Sequence, residues 1–453
     1  MNALIIIAGL GVLSLVAEIA NFKKLLPSLV YAGLFVAVLI LLMESDVTEG
    51  RYNNMVVFDS MAVGFTALLI VITLLWFWMA GSYFQSRVHT DRTALILFAL
   101  VGGIMMTSFN NMSMLFLGIE TLSISLYVLA GSRKELSSTE AAFKYLLMGS
   151  FATGVLLFGI TLIYGATGEL QIDRIATVMA ESEMPSFFYV GVLMMLAGML
   201  FKISAVPFHF WAPDVYSGAP TSVTAFMATV IKIAAISAFV RLFGTTFVNA
   251  IGHGVILVIT VLTLIVPNIT AVYQSNVKRM LAYSSVGQVG FILLLFLSNP
   301  SGSTHEIFYY LSAYAVASLT TFNVVLMMET PASGGSALEN FNGLYKRNPL
   351  LANVMSVALL SLAGIPPLPG FFAKYFVFIK ALEAGQIGLV MVAVLASIVG
   401  VYYYFRVIIA MYFKEPGAGM VEIPLQSKIY LAVSGLLLFA LALFPDWVIS
   451  IVD

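Results

Sequence analysis

Residues 200–214 read LFKISAVPFHFWAPD, and this stretch places a lysine, a histidine and an aspartate in a chain that is otherwise strongly apolar. Of its 453 residues, 61% are hydrophobic and 9% are charged. Soluble proteins carry about a quarter charged residues, so this composition indicates a membrane protein. A transmembrane helix needs about 20 apolar residues, and such runs follow one another along almost the whole sequence. We therefore predict an all-α, polytopic membrane protein.

Charged residues and clusters of proline, glycine and asparagine divide the apolar runs into about 14 predicted helices, numbered here as spans 1–14. Span 12 is too long for one straight crossing and contains Pro366, Pro367 and Pro369. Proline removes a backbone donor and clashes with the preceding turn, so we expect two half-helices joined by unwound backbone. The predicted bounds are 3–20, 25–43, 56–80, 93–109, 112–130, 139–165, 186–211, 221–243, 252–271, 277–298, 304–328, 350–384, 386–413 and 427–449.

Basic residues are distributed unevenly between the predicted loops. Loops after even-numbered spans hold only Arg51, Arg174 and Arg241. Loops after odd-numbered spans hold twelve basic residues, and cytoplasmic loops are the ones that carry such an excess. We therefore expect both termini on the outer side of the membrane. The twelve residues are Lys23, Lys24, Arg87, Arg92, Arg133, Lys134, Lys278, Arg279, Lys346, Arg347, Lys414 and Lys428.

Three of the remaining basic residues lie close to the ends of their spans. A long side chain near a span end carries its charge to the interface, which avoids the cost of a cation in hydrocarbon. Lys380 and Arg406 are expected to be anchors of this kind. Lys144 is intermediate, because it lies little more than a turn into span 6, where Glu140 and Tyr145 could form a local network with it.

Lys202, Lys232 and Lys374 lie near the predicted centre of the membrane. Lys232 is the clearest case, because it lies roughly 16 Å from either end of span 8 at 1.5 Å per residue, beyond the reach of a lysine side chain. Intramembrane ionisable residues usually mark ion or proton paths, and we interpret all three lysines in this way. The alternative is a structural scaffold in which the buried charges only hold helices together.

Glu120 is a candidate counter-charge for these lysines. It lies eight residues into span 5, which has no other charge but contains the hydroxyls of Ser123 and Ser125. Burial destabilises an ammonium and a nearby carboxylate stabilises it, so a movement of Glu120 relative to Lys202 would load or unload a proton. The alternative is a static ion pair that holds spans 5 and 7 together.

The breaks in spans 7 and 12 predict an internal repeat. Pro207 interrupts span 7, and the Gly/Pro cluster at residues 364–370 interrupts span 12, five spans later. Discontinuous helices in corresponding positions of two halves are typical of inverted-repeat transporters with ion sites at the breaks. His209, beside the first break, could pass protons at neutral pH. The predicted units are residues 1–92 (spans 1–3), 93–243 (first repeat, spans 4–8), 252–413 (second repeat, spans 9–13) and 427–453 (span 14).

Several kinds of chemistry have no support in the sequence. The chain has no cysteine, which excludes disulfides and cysteine-ligated metal or iron–sulfur sites within it. It also lacks the glycine-rich dinucleotide fingerprint and the phosphate-binding loop. We therefore predict no flavin, haem or metal site, and find no basis for a quinone site in this chain.

The motifs resemble one known family over essentially the whole chain. The stretch LFKISAVPFHFWAPDVYSGAPTSVTAFMATVIK (200–232) resembles the signature of the antiporter-like membrane subunits of proton-pumping NADH:quinone oxidoreductase, respiratory complex I. Further similar stretches are FLGIETLSISLYVLAG (116–131), EAAFKYLLMGSFATG (140–154), VKRMLAYSSVGQVGF (277–291) and SLAGIPPLPGFFAKYFVF (361–378).

Within the family, the span 12 motif distinguishes branches. The chain has Lys374 after IPPLPG, which is similar to one branch, whereas a second branch has a glutamate there. A third branch carries a long lateral helix beyond span 14, which we do not expect here because the sequence stops at Asp453. Related subunits of cation/proton antiporters share the lysine and glutamate positions, so that alternative stays open.

The resemblance implies a role for each candidate residue. Glu120 and Lys202 would form a modulating pair, Lys232 would be the central relay, and Lys374 would be the terminal site towards the outer half-channel. His209 would join the chain of groups between them.

The resemblance also implies the setting of the chain. Lys144 would belong to the inner-side path. The chain itself would hold no cofactor, with NADH, FMN, iron–sulfur clusters and quinone in other subunits of a bacterial inner-membrane complex. Its partners would be the other membrane subunits, the lipid bilayer and protons, with no nucleic acid. Quinone reduction elsewhere would drive proton transfer along a mid-membrane Lys/Glu/His relay.

Overall fold

A computed structural model confirms the all-α, polytopic prediction. Among the described residues, 12 helices are long and apolar enough to cross a membrane, and two shorter apolar helices, Asn2–Ala17 and Pro349–Ala363, complete the predicted set. Arg87, predicted in the loop after span 3, lies outside the described residues. The structure describes residues 1–20, 22–44, 50–84, 89–247, 250, 252–300, 302–329, 335–416 and 419–452.

Spans 7 and 12 each consist of two helices, which we call 7a, 7b, 12a and 12b. The spans are Asn2–Ile19 (1), Leu26–Glu44 (2), Ser60–Phe84 (3), Thr90–Ser108 (4), Met112–Ala130 (5), Leu136–Thr167 (6), Ser186–Ile203 (7a), Trp211–Gly218 (7b), Thr221–Thr246 (8), His253–Val272 (9), Val277–Ser298 (10), Thr304–Met328 (11), Pro349–Ala363 (12a), Pro369–Glu383 (12b), Ile387–Phe413 (13) and Leu425–Leu443 (14). Short helices outside the spans are Ile172–Glu181, Leu338–Phe341, Leu344–Arg347, Pro445–Ile449 and Ser450–Val452.

Two elements near the membrane surface differ from the prediction. The strand Gly50–Tyr52 (β1) pairs antiparallel with Val56–Phe58 (β2), so span 3 begins at Ser60 rather than at residue 56. The apolar run before span 3 is a strand because its backbone pairs with a neighbouring strand, which hydrophobicity does not reveal. The amphipathic helix Ile172–Glu181 was not predicted, because it is too short for a span.

Backbone hydrogen bonds between loops show which span ends share a membrane face. The amide of Ile172 donates to the carbonyl of Asn110, and the amide of Asn110 donates to the carbonyl of Met55, both at 2.9 Å. These bonds join the loops after spans 2, 4 and 6. At the other end, the amide of Val277 donates to the carbonyl of Ser336 at 2.8 Å and joins the loops after spans 9 and 11. We call the end at which span 1 begins the N-terminal face, and the other end the opposite face.

Spans 8, 10 and 11 form the centre of the bundle. Their most apolar windows are 100%, 94% and 94% buried by other parts of the chain, against 33% for span 13. The surrounding spans pack closely at small residues: a Cβ on Gly159 in span 6 would lie 2.6 Å from the carbonyl oxygen of Gly191 in span 7a. A polar side chain on spans 8, 10 or 11 is therefore shielded from lipid.

Both predicted breaks are present. Residues 204–210 separate helices 7a and 7b, and residues 364–368 separate helices 12a and 12b. Each broken span is the fourth in its predicted unit of five. The division into residues 1–92, 93–243, 252–413 and 427–453 stays a prediction.

Arg241 was counted among the loop residues although the predicted span 8 ran to residue 243, and the loop assignment is wrong. Span 8 continues past Arg241 to Thr246, and its guanidinium makes two hydrogen bonds, of 2.9 and 2.6 Å, to the carboxylate of Asp59. It also donates to the carbonyl of Thr107 at 3.0 Å. Paired charges of this kind are tolerated within a bundle. The sequence did not show the pair, because Asp59 lies far away along the chain.

Lys278 was also counted among the loop residues although the predicted span 10 began at residue 277, and the loop assignment is wrong. It lies in the first turn of span 10 and is only 3% exposed. Its ammonium donates to the carbonyl of Ala219 at 2.5 Å and lies 3.7 Å from the carboxylate of Glu329. These two partners, both distant in sequence, allow the lysine to be buried.

Candidate functional site

Lys202 lies in the last turn of helix 7a and is 4% exposed. Its ammonium donates a hydrogen bond of 2.7 Å to the hydroxyl of Ser123 on span 5. That hydroxyl in turn donates to the carbonyl of Ile119 at 2.5 Å. The helix ends one residue after the lysine, at Ile203, and the next residue, Ser204, has a left-handed φ of 63°.

Glu120 is not in direct contact with Lys202. Among the described residues, no carboxylate lies within 4.0 Å of the Lys202 ammonium. The hydrogen-bond partner of this ammonium is the hydroxyl of Ser123. The Glu120 charge still acts on the ammonium through space, and its Oε1 atom is buried without a hydrogen-bond partner. The arrangement therefore differs from the static ion pair that was one alternative.

The break in span 7 is stabilised by contacts across it. The indole of Trp211 in helix 7b donates to the carbonyl of Phe201 in helix 7a at 3.1 Å. The amide of Val206 donates to the hydroxyl of Thr263 in span 9 at 3.0 Å. Backbone groups at this depth need such partners, because hydrocarbon supplies none.

His209 lies within this break and is 4% exposed. Its ring centroid is 4.5 Å from that of Phe210, and its Nδ1 atom is buried without a hydrogen-bond partner. Among the described residues, no hydrogen bond joins His209 to Lys202 or Lys232. The structure therefore places His209 beside the candidate path without linking it to either lysine.

Lys232 is 2% exposed and follows an irregular turn of span 8. Residues Met227–Ile231 form a π-helical turn, a feature that is frequent at functional sites. The Lys232 ammonium donates to the carbonyl of Ser285 in span 10 and lies 6.0 Å from the ring centroid of Tyr314 in span 11. The three most buried spans thus meet at this lysine.

Tyr314 connects the π-helical turn to span 10. Its hydroxyl lies 2.9 Å from the carbonyl oxygen of Ala228 and 2.8 Å from the hydroxyl of Ser285. A tyrosine hydroxyl has one hydrogen, so it donates to one of these acceptors at a time. Tyr216 of helix 7b makes a similar bond of 3.2 Å to the carbonyl of Met227. The π-helical turn therefore provides carbonyls for hydroxyl donors.

Gln288, one turn along span 10 from Ser285, is the centre of a second cluster. Its amide nitrogen lies 3.2 Å from the carbonyl oxygen of Leu362 in helix 12a and 3.4 Å from the hydroxyl of Tyr404. Its amide oxygen accepts a hydrogen bond from the hydroxyl of Tyr310. Gln288 therefore joins spans 10, 11, 12 and 13.

Lys374 lies in helix 12b and is 6% exposed. Its ammonium donates to the carbonyl of Ala363, the last residue of helix 12a, at 2.8 Å and to the hydroxyl of Ser397 at 2.9 Å. It also lies 4.7 Å from the ring centroid of Phe291. The lysine thus bridges the break in span 12 and caps the carbonyl end of helix 12a.

A small cavity lies between the surroundings of Lys232 and Lys374. Its walls include Gln288, Tyr310, Tyr314, Ser361 and Lys374, and it has room for about one water molecule. Polar groups therefore extend from Lys232 through Ser285 and Tyr314 to this cavity, and from the cavity to Lys374.

Lys144 lies near the opposite face, as predicted. Its ammonium is 2.7 Å from the carboxylate of Glu140 and 3.1 Å from that of Asp214, which also pairs with Arg279 at 2.9 Å. The predicted link with Glu140 is present. Tyr145 instead stacks on Trp211, with ring centroids 4.7 Å apart.

Lys380 lies in the last turn of helix 12b, and Arg406 lies about two turns before the end of span 13, so their interpretation as anchors stays a prediction. Arg406 donates to the carbonyl of Val272 at the end of span 9 at 2.6 Å, and also to that of Gln274. Lys380 lies near the N-terminal face and pairs with Glu306 at 3.6 Å and Glu383 at 3.5 Å.

The sequence analysis missed Ser285, Gln288, Tyr310 and Tyr314. A signal was available for two of them, because the stretch YSSVGQ in span 10 holds polar side chains within a helix of the core. The tyrosines gave none, since aromatic residues are common in such helices. Among the described residues, no group of three or more His, Asp or Glu side chains could hold a metal ion.

Comparison with known proteins gives one family. The sequence model of the family described as "NADH:quinone oxidoreductase/Mrp antiporter, TM" matches residues 109–400. NADH-quinone oxidoreductase subunit N of Cytophaga hutchinsonii is 44% identical over 100% of this chain and 99% of its own length.

Solved structures agree in fold. A chain of respiratory complex I from Thermus thermophilus, with bound aureothin, has a TM-score of 0.83 and 29% identity, covering 99% of this chain and 98% of its own length. A chain of the Mrp complex from Dietzia has a TM-score of 0.88 but 22% identity, covering 99% and 95%. The fold alone therefore does not separate the two kinds of complex, whereas the full-length relative carries the name of one of them.

Proposed function

This chain belongs to the NADH:quinone oxidoreductase/Mrp antiporter transmembrane family, and we propose that it is the subunit N type, a proton-translocating membrane subunit of NADH:quinone oxidoreductase. It is then a subunit of a translocase enzyme, and other membrane subunits of the complex are its partners. The 44% identity over the full length of a subunit N relative supports this assignment over the Mrp alternative. Lys374 after the IPPLPG motif is also similar to the subunit N branch of the family, which supports the same assignment.

The observation that carries the proposal is a row of polar groups through the most buried spans. Lys202, Lys232 and Lys374 are each no more than 6% exposed, yet each ammonium has a hydroxyl or a carbonyl as its partner. A carboxylate partner would hold a lysine in its charged form, whereas neutral partners allow it to lose its proton. Three such lysines are suited to carrying protons in turn.

These surroundings support the following proposed role for each residue. Glu120 acts on Lys202 from a distance, so a small movement of span 5 changes the stability of the Lys202 ammonium. A proton released by Lys202 passes to Lys232, with His209 beside this step. From Lys232 it passes by way of Ser285 and Tyr314 to the small cavity. Lys374 accepts it there.

The two faces differ in role. Lys144 belongs, with the carboxylates of Glu140 and Asp214, to the part of the path on the opposite face, and Lys374 leads towards the N-terminal face. We assign the N-terminal face to the outside of a bacterial inner membrane, because the loops on the opposite face carry the excess of basic residues. NADH, FMN, iron–sulfur clusters and quinone belong to other subunits, and their electrons do not enter this chain.

Replacement of Lys232 tests the function directly. Lys232→Ala removes the central proton carrier, so redox-driven proton pumping should fall by about tenfold or more. The measurement is the initial rate of vesicle acidification per NADH oxidised, at equal amounts of assembled complex. Lys414→Ala is the matched control, because it removes the same charge from an exposed loop, and it should pump normally.

Two results would contradict the assignment. Normal pumping by Lys232→Ala in a fully assembled complex would leave the lysine as a structural residue only. Sodium/proton exchange by the purified complex without NADH oxidation would favour the alternative that this chain is a subunit of a cation/proton antiporter.

A further inference from the structure

The N-terminal half of span 11 carries polar side chains at every fourth position. Glu306, Tyr310 and Tyr314 follow one another at this spacing, in HEIFYYLSAYA (305–315). Residues four apart lie on the same side of an α-helix, one turn above the other. The three side chains therefore form a stripe that spans about 12 Å at 1.5 Å per residue.

The inner part of the stripe belongs to the site already described. Tyr314 contacts Ser285 beside Lys232, and Tyr310 donates to Gln288. Both tyrosines line the small cavity that reaches Lys374. Glu306 lies one turn nearer the N-terminal face, so the stripe continues from this cavity towards the membrane surface.

Glu306 has one oxygen engaged and one without a partner. Its Oε1 lies 3.6 Å from the ammonium of Lys380, a long distance for an ion pair, while its Oε2 is buried and makes no hydrogen bond. A buried acceptor without a partner costs about 1–3 kcal/mol in ordinary structures. This oxygen is therefore available to take up a proton.

Exposure rises stepwise from this carboxylate to the surface. The side chain of Glu306 is 15% exposed, that of Lys380 is 34% exposed and that of Glu383 is 61% exposed. Lys374 and Lys380 lie on the same short helix, 12b, with Lys380 nearer the surface. Of the two carboxylates that pair with Lys380, Glu306 is therefore the mostly buried one and Glu383 the exposed one.

We propose that Glu306 is the exit group of the proton path, which accepts protons from Lys374 and releases them at the N-terminal face. This inference rests on the proposed function. In the transfer, the Lys374 ammonium becomes a neutral amine and the Glu306 carboxylate becomes a carboxylic acid, by way of the cavity and the Tyr310 hydroxyl. The acid then loses its proton to bulk water at the N-terminal face. Lys380 favours this release, because its charge stabilises the carboxylate.

Substitution of Glu306 tests the proposal. Glu306→Gln keeps the side-chain volume but cannot carry the proton, so pumping per NADH oxidised should fall by about tenfold or more. Glu306→Asp retains a carboxylate and should recover part of the rate. Glu383→Gln is the matched control, because it removes the other carboxylate that faces Lys380, and it should remain within about twofold of the unmodified complex.

A double variant separates proton transfer from a structural ion pair. If Glu306 serves only to neutralise Lys380, Glu306→Gln combined with Lys380→Met should restore pumping, and this result would overturn the proposal. If pumping stays low in the assembled double variant, the carboxylate itself is needed. Low pumping by Glu306→Gln with equally low pumping by Glu306→Asp in assembled complex would also count against it.

Pumping by Lys232→Ala, measured under the same conditions, shows whether the exit group or the proposed function itself has failed. Loss of pumping in Lys232→Ala with normal pumping in Glu306→Gln would reject the exit group and leave the proposed function intact. Normal pumping in Lys232→Ala would reject the proposed function itself.

Discussion

The three mid-membrane lysines have neutral partners in common. Lys202 donates to a serine hydroxyl, Lys232 to a backbone carbonyl, and Lys374 to one of each. A carboxylate in direct contact would strengthen each ammonium and slow the loss of its proton. Arg241 differs from the three lysines, because its guanidinium makes two hydrogen bonds to the carboxylate of Asp59. We interpret Arg241 as a residue that holds helices together and the lysines as groups suited to proton transfer.

Gln288 should be essential to the step between Lys232 and Lys374. Gln288→Leu removes the acceptor of the Tyr310 hydroxyl and the donor to the Leu362 carbonyl, leaving buried groups unpaired at about 1–3 kcal/mol each. We expect slower pumping and a lower inactivation temperature of the complex.

Gln288→His is the matched variant, because an imidazole both donates and accepts hydrogen bonds. It should keep most of the pumping rate. Equal rates for the leucine and histidine variants would show that hydrogen bonding at this position has no part in the transfer.

At the scale of elements, the two breaks and the π-helical turn produce the site. Helix 7a ends just after Lys202, and helix 12a ends at the carbonyl that accepts from Lys374. The turn at Met227–Ile231 exposes carbonyls to Tyr216 and Tyr314 beside Lys232. Each irregularity supplies backbone acceptors at a depth where a regular helix has none to offer.

Gly364 should be irreplaceable at the break of span 12. Its φ is +86°, and an added Cβ would lie 2.8 Å from Cδ of Lys374. Gly364→Ala should therefore combine backbone strain of about 1–2 kcal/mol with displacement of the lysine. We expect both a lower inactivation temperature and a lower ratio of pumping to NADH oxidation.

Gly385→Ala isolates the strain from the clash. Gly385 has a φ of +74° but no atom within 4 Å of an added Cβ. It should lose a similar amount of stability to backbone strain and keep normal pumping. If both alanine variants pump alike, the close approach of Gly364 to Lys374 has no functional importance.

At the scale of the whole molecule, the site runs across the bundle rather than through one helix. Spans 8, 10 and 11 are almost completely enclosed, and they carry Lys232, Ser285, Gln288 and Tyr314. The outer spans keep lipid away from these groups. Exposed apolar side chains on the outside, such as Phe151 at 77% and Phe413 at 82%, are available to lipid or to neighbouring subunits.

The orientation of the bundle can be measured because the chain has no cysteine. Glu183→Cys lies in an exposed loop of the N-terminal face, and Lys414→Cys lies in an exposed loop of the opposite face. A membrane-impermeant maleimide should label position 183 in intact spheroplasts and position 414 only after permeabilisation. The reverse pattern would place the termini inside the cell.

The sequence by itself determined the number of spans, the two breaks and the three buried lysines. Run length, proline and the high cost of a cation in hydrocarbon are local properties, so they can be read without knowing which helices touch. The signature around residues 200–232 also sufficed to indicate the family. Errors arose for Arg241 and Lys278, because their partners lie far away in the sequence.

Only the tertiary structure decided the partners of the lysines and the continuity between them. The Lys202 ammonium contacts Ser123 rather than Glu120, and Tyr314 and Gln288 lie between Lys232 and Lys374, because spans distant along the chain pack face to face. Serine, tyrosine and glutamine are ordinary residues of such helices, so a polar stretch or a regular spacing does not show which side chains they will contact. Their role depends on which faces meet, and packing across the whole bundle determines those faces.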